Sequence, residues 1–356
     1  MTSSVLIVGG GVCGVRLAGL LRARGFSCVL AESRSTLGGR VRTEQYEGAY
    51  ADLGPAWVWP HQPRVLSLLR ERSLPTFEQH TAGQLVFQGE HGATRRFDMA
   101  TMGGSLRIQG GMLRLVESLA EDLDSQHVWV DAHLQRLERT DAGILASFRD
   151  GRTLEVGRVV LTAPPRVVAA TVSFEPELAS PLREAMTGVP TWMAGHAKAV
   201  AIYDTPFWRK GGLNGDAVSH CGPLGELHDA SPHDASAGAL FGFFGKPASW
   251  RRANAATLQD EVLAQLAALF GDAAGRPRTL SIVDWAQDPL VATPADDVML
   301  REHPRYGPLP ATDGRWSTIL LFSGTELAPA EGGYIEGALT AAEHTADVLA
   351  QDASHA

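Results

Sequence analysis

The sequence predicts an α/β protein in which a Rossmann-like dinucleotide-binding domain is interleaved with an α+β substrate domain. Three observations carry that expectation. The chain opens on a short apolar strand, a glycine loop and an amphipathic helix. The same order of strand, glycine turn and helix returns at residues 319–349. Between the two lies a stretch of different texture, with alternating strands and one long amphipathic helix. The expected division assigns 1–75, 104–175 and 289–356 to the nucleotide-binding domain, and 76–103 with 176–288 to the substrate domain.

The elements follow in order. Val5-Leu6-Ile7-Val8 is apolar at every position, as a parallel strand buried on both faces requires. Residues 15–24 place Val15, Ala18 and Leu21 on one side and arginines on the other, which is a helix pattern, and Gly25 stops it. A second strand is expected at 27–31 and a helix at 63–72. Segments 84–87 and 94–97 alternate around a glycine-containing turn, as in a hairpin. A helix at 112–123, a strand at 127–130, a hairpin turning at Asp150-Gly151 and a buried strand at 158–162 complete the first half. Strands are then expected at 197–203, 239–245 and 281–285, with a helix at 257–270. Residues 211–237, rich in Gly, Asp, Ser, His and Pro, read as loop.

Composition bounds the function. With 356 residues, 44% hydrophobic, the chain can build a large core. A net charge of −9 disfavours nucleic acid and anionic membrane surfaces as partners. No run of 18 apolar residues suggests a span, and no secretory signal precedes the first strand. Three scattered cysteines, Cys13, Cys28 and Cys221, suit a reducing compartment, so a cytoplasmic setting is expected.

Gly9-Gly10-Gly11-Val12-Cys13-Gly14 matches G-x-G-x-x-G. Gly9 permits the tight turn, Gly11 lets backbone approach a pyrophosphate, and Gly14 allows close helix–strand packing. The helix N-terminus offers free N–H groups and a partial positive charge to phosphate. Glu32, 18 residues beyond Gly14, ends the second strand where an acid reaches a ribose hydroxyl. That acid argues against a 2′-phosphate, but the loop alone does not separate NAD from FAD.

Further blocks narrow the choice. Leu37-Gly38-Gly39-Arg40-Val41-Arg42-Thr43 and Ala51-Asp52-Leu53-Gly54-Pro55-Ala56-Trp57 follow the βαβ start. Tyr203-Asp204-Thr205-Pro206-Phe207-Trp208-Arg209 stands mid-chain, and Gly324-Thr325-Glu326 and Gly332-Gly333-Tyr334-Ile335-Glu336-Gly337-Ala338 stand near the end. In combination and order this set resembles the flavin-containing amine oxidase family, across residues 1 to about 350. The resemblance implies a GR2-type flavoprotein fold and non-covalent FAD. It implies cofactor contacts at Gly9, Gly11, Val12, Cys13, Gly14, Glu32, Ser33, Gly39 and Arg40, and along Leu53, Gly54, Pro55, Ala56 and Trp57. Further contacts are implied at Val130, Ala163 and Trp285, and at Gly324, Glu326, Gly333, Tyr334, Ile335 and Ala338. Glu326 would accept hydrogen bonds from the ribityl chain, and the helix opening at Gly333 would face the flavin N1/C2=O edge.

Two residues match the family's catalytic positions. Lys198 corresponds to a lysine that holds a water against flavin N5, and Tyr334 to one wall of an aromatic cage. The opposite wall departs from the pattern: Val291-Ala292-Thr293-Pro294-Ala295-Asp296 carries no aromatic, and Tyr306 is the nearest. That stretch carries no cysteine either, which excludes a thioether there. The implied reaction is hydride transfer from an amine-bearing carbon to flavin N5, imine hydrolysis, and reduction of dioxygen to peroxide. The partners would be a small amine and O2, with an oligomer possible.

Other patterns are weaker. His220, Cys221, His228 and His233 crowd one segment, but their spacing makes no metal-ligand motif, and a polar loop is expected with no metal. The family resemblance implies a long helical insertion that this chain lacks, so a site that is more open, or covered by another subunit, is expected. Two other readings stay open. A renalase-like oxidase would act on dihydronicotinamides, and a low-turnover flavin-binding protein would bind FAD and oxidise neither.

Overall fold

Val5–Val8 is buried along its whole length and lies at the centre of a five-stranded parallel sheet. Its neighbours are Cys28–Ala31 on one side and Arg158–Leu161 on the other, with Val128–Trp129 and Leu320–Phe322 at the edges. This computed structural model describes residues 4–300, 302–312 and 314–354. Alternation along the central strand divides the core in two. Val5 and Ile7 pack under the helices Val12–Ala23, Leu113–Ala120 and Ile335–Ser354. Leu6 and Val8 face a four-stranded sheet that contributes Leu134, Leu137, Ile144 and Phe174.

A second sheet of seven strands runs in the order Thr279–Asp284, Ala197–Tyr203, Gly238–Phe244, Leu224–Asp229, Leu213–Ser219, Gln84–Gln88, Thr94–Phe97. Its pairs are antiparallel except Leu213–Ser219 with Gln84–Gln88, which is parallel. Period-2 alternation again sorts the side chains. Ala197, Ala199, Ala201 and Tyr203 pack toward the helix Leu258–Phe270. Val200 and Ile202 face the other way, onto Ala49, Ala51, Leu53 and Ala56 of the N-terminal half. Lys198 shares that second face.

The loop expected over 211–237 is a correction. Leu213–Ser219 and Leu224–Asp229 are central strands of the second sheet. Their polar residues are buried against one another rather than solvated. Asp216 accepts from the Thr101 backbone N–H at 2.8 Å and lies 3.1 Å from His228 Nδ1. Asp229 takes a two-pronged ion pair from Arg209 and the Trp208 indole N–H. The fully buried His228 is also 3.1 Å from Glu226, and the two carboxylates hold its imidazole above the usual range despite burial.

Candidate active site

A cavity of about 540 Å³ runs between the two sheets. One end is the glycine loop. Gly9 takes φ +114°, and a Cβ on Gly14 would stand 1.9 Å from the Gly9 carbonyl oxygen, so the helix can approach the strand only with glycine there. A Cβ on Gly11 would meet nothing nearer than 3.9 Å. The backbone at Gly11 therefore borders open space in the cavity. The helix Val12–Ala23 has no side-chain cap and no acid in its first turn. Its free N–H groups and positive end fit a pyrophosphate.

Glu32 closes this end. Its Oε2 accepts from the Gly10 N–H at 2.6 Å and its Oε1 from the Arg34 N–H at 2.7 Å. A carboxylate has lone pairs left for ribose hydroxyls. Ser33 and Ala163 border the cavity here, as do Gly39 and Arg40. The Arg40 guanidinium is not a free cation: Nη1 stands 2.6 Å from Oε1 of Glu326, which is 1% exposed. A buried carboxylate needs such a counter-charge. Glu326 is held to the wall through this ion pair, and neither it nor Gly324 is on the cavity lining, although Thr325 between them is. Val130, where a contact is expected, is 37% exposed and its carbonyl accepts from Arg152, while His133 and Leu134 line the cavity. The strand stops at Trp129, so Val130 is turned out to solvent.

The other end is built by Leu53, Gly54, Pro55, Ala56, Trp57, Lys198 and Trp285, with Gly333, Tyr334, Ile335 and Ala338 facing them. Lys198 is 2% exposed. Its Nζ donates to the carbonyls of Asp52 at 2.7 Å and Gly54 at 2.9 Å and lies 3.9 Å from the centre of the Phe241 ring. Burial lowers its pKa to about 7, against which the nearby Asp52 carboxyl works only in part. Asp52 is itself held above the usual carboxylate range by burial. The Trp57 indole N–H donates to Gln79, and that of Trp285 to the Leu53 carbonyl at 3.3 Å.

Tyr334 stands at the mouth, 39% exposed, its ring parallel to His303 with centroids 5.1 Å apart. His303 in turn lies 4.7 Å from Trp192, whose side chain packs on Gly333. Tyr306 is tied back by its hydroxyl to the Pro190 carbonyl. Trp192 and His303, from two loops, thus supply the aromatic surface that residues 291–296 do not. Nothing in the local pattern of Thr191-Trp192-Met193 marks it, because the contact is between distant segments.

A dinucleotide-sized cleft between a parallel nucleotide-binding sheet and a second sheet bearing a buried lysine fits a dinucleotide-dependent oxidoreductase. The comparisons agree. The chain belongs to the family described as flavin containing amine oxidoreductases, whose pattern matches residues 86–350, and a Rossmann-like NAD(P)-binding domain matches residues 7–72. It is similar to flavin-containing amine oxidase B of Sus scrofa, 23% identical over 96% of this chain and 85% of that one. It is also similar to putrescine oxidase of Kocuria rosea, 23% identical over 70% of this chain and 76% of that one. The structure of cyclohexylamine oxidase from Brevibacterium oxydans superposes with a TM-score of 0.82 at 17% identity, covering 99% of this chain and 100% of that one. The protein is therefore an FAD-dependent oxidoreductase of the amine-oxidising kind.

Proposed function

We propose that the protein oxidises small primary and secondary amines, with O2 as the final acceptor and Lys198 as the central protein group. The observation that carries this reading is the state of Lys198. A neutral lysine amine has two N–H groups and one lone pair. The carbonyls of Asp52 and Gly54 take the two hydrogens. The lone pair is left to hold a water, and through it a proton, beside the reacting carbon.

FAD, bound without a covalent link, supplies the two-electron redox chemistry and passes the electrons to O2. The glycine loop and Val12–Ala23 would hold its pyrophosphate, Glu32 and Ser33 a ribose, and Gly333, Tyr334, Ile335 and Ala338 its ring end. Cys13 lines the cavity, but burial pushes its thiol up to about 12, so it is no nucleophile at neutral pH. Trp57, Trp192 and Phe243 surround the lysine end with apolar surface. That surface excludes water and favours the neutral, reactive form of the amine. The released imine would hydrolyse to a carbonyl compound and ammonia or a smaller amine. The free thiols of Cys13, Cys28 and Cys221 favour a cytoplasmic setting.

An amine panel with peroxide detection tests this. Wild type should oxidise at least one amine, and Lys198→Met should lose most of that rate while keeping its FAD. Turnover of a dihydronicotinamide but no amine would replace the reading. Amine turnover unchanged in Lys198→Met would remove the lysine from it.

A further inference from the structure

His196 stands two residues before Lys198, just ahead of the strand Ala197–Tyr203, and both side chains border the cavity. Its backbone is fully engaged: the N–H donates to the Met193 carbonyl, and its carbonyl accepts from Trp285. Its ring is not. Nδ1 is buried out of reach of the cavity, and Nε2 makes no hydrogen bond among the described residues, which leaves Nε2 as the ring nitrogen that can face the cavity. Burial, aided by the Arg251 guanidinium, keeps the imidazole below its ordinary range, so it is neutral and one ring nitrogen carries a lone pair.

An amine entering this end brings N–H groups that need an acceptor. The surroundings offer few. Glu32 is the one carboxylate on the cavity wall among the described residues, and it lies at the nucleotide end, bonded to Gly10 and Arg34. The indoles of Trp57 and Trp285 only donate, and both already have partners. His196 lies 6.4 Å, ring to ring, from Trp192, and so sits between the lysine and the aromatic surface that carries Tyr334.

We propose that His196 is the acceptor that orients the substrate, taking a hydrogen bond from the amine nitrogen, and that it makes the site select amines with a free N–H over tertiary amines. This rests on the amine-oxidising reading and refines it. Lys198 serves the water, and His196 serves the substrate nitrogen. The charged and titratable groups around His196 are Arg251, paired with Asp284, then Lys198 along the strand and His303 beyond Trp192. None is a carboxylate free to hold an imidazolium. Protonated His196 has no lone pair to accept an amine N–H, so affinity should fall toward acid pH.

The test uses FAD-loaded wild type, His196→Leu and His196→Phe. A primary amine that wild type oxidises is compared with its N-methyl and N,N-dimethyl derivatives. Loss of one neutral hydrogen bond should raise KM for the primary amine between about three- and tenfold, with kcat little changed. KM for the dimethyl derivative should stay the same, so the variants flatten the series. The acid rise in KM should become shallower without the ring, leaving only the part due to protonation of the amine itself. Binding is read separately by calorimetry with 2-phenylpropan-2-amine, which has no hydrogen on its amine-bearing carbon and is not oxidised. Its affinity should fall by the same factor in the variants. An unchanged methylation series and unchanged affinity in whichever variant folds with FAD would overturn the role of His196. A wild type that oxidises no amine would instead overturn the reading on which it rests.

Discussion

The ε-amino group of Lys198 is held among Phe241, Phe243 and two carbonyls, with no carboxylate in hydrogen-bond contact among the described residues. Two consequences follow from its pKa of about 7 against an ordinary 10.5. The first is catalytic: kcat should rise with pH through about 7 as the amine loses its proton, and a pH–rate profile of Lys198→Met should lack that limb and lie ~10²-fold or more lower. The second is energetic. The folded value lies below the unfolded one, so the unfolded chain binds more protons between about 7 and 10.5. Stability from this site therefore rises with pH across that window, and the cost of a buried ammonium is full below it. Thermal melts should show the Tm of Lys198→Met gaining most on wild type at acid pH, with the gap shrinking above about 7. A gap independent of pH would mean that Lys198 is not buried as a strained cation. Trp192 offers a further check at this scale. Trp192→Ala should raise KM for an aromatic amine by ~10-fold, the worth of one aromatic contact, and leave a small aliphatic amine less affected.

At the scale of elements, the strand–loop–helix at the N-terminus separates two uses of glycine. Gly14→Ala drives a methyl group into the Gly9 carbonyl, so the helix Val12–Ala23 must move off its strand. That variant should lose stability whether or not FAD is present. Gly11→Ala meets no protein atom within 3.9 Å and has an extended backbone with φ −75°. It should melt like wild type when stripped of FAD, yet retain the cofactor poorly, as absorbance after gel filtration would show. This loop was legible because its constraint is local: Gly9 and Gly14 each answer to an atom a few residues away or at the end of the next strand. Ala197–Tyr203 was legible by alternation, and with it Lys198. The strands Leu213–Ser219 and Leu224–Asp229 were not. Asn214, Asp216, His228 and Asp229 look like loop chemistry, and only pairing with Met99, Thr101, Arg209 and Trp208 makes them interior. Trp192 and His196 were missed as site residues for a related reason. Each comes from a short irregular stretch, and the cavity that unites them is a property of the assembled chain.

For the whole molecule, the cavity wall is drawn from the N-terminal βαβ unit, the turn after Arg158–Leu161, the start of the second sheet and the last helix. Those parts also touch one another directly: Val200, Ile202 and Phe241 pack on Ala51, Leu53 and Ala56, and Arg40 pairs with Glu326. FAD would thus add to an interface that exists rather than create one. A ligand that binds only the folded state at about a thousand times its Kd adds ~4 kcal/mol. At roughly 2–4 °C per kcal/mol for a chain of this order, stripping FAD should lower Tm by about 10 °C in one cooperative transition. Hydrogen exchange should locate the change. Amides at the start of Val12–Ala23 and around Gly333–Ile335 should lose protection in the stripped protein. Those of Leu258–Phe270 should not, because that helix packs on the face of the second sheet turned away from the cavity. If protection is lost there too, or if the stripped protein melts in two steps, the packing between the sheets is not self-sufficient and FAD is part of what joins them.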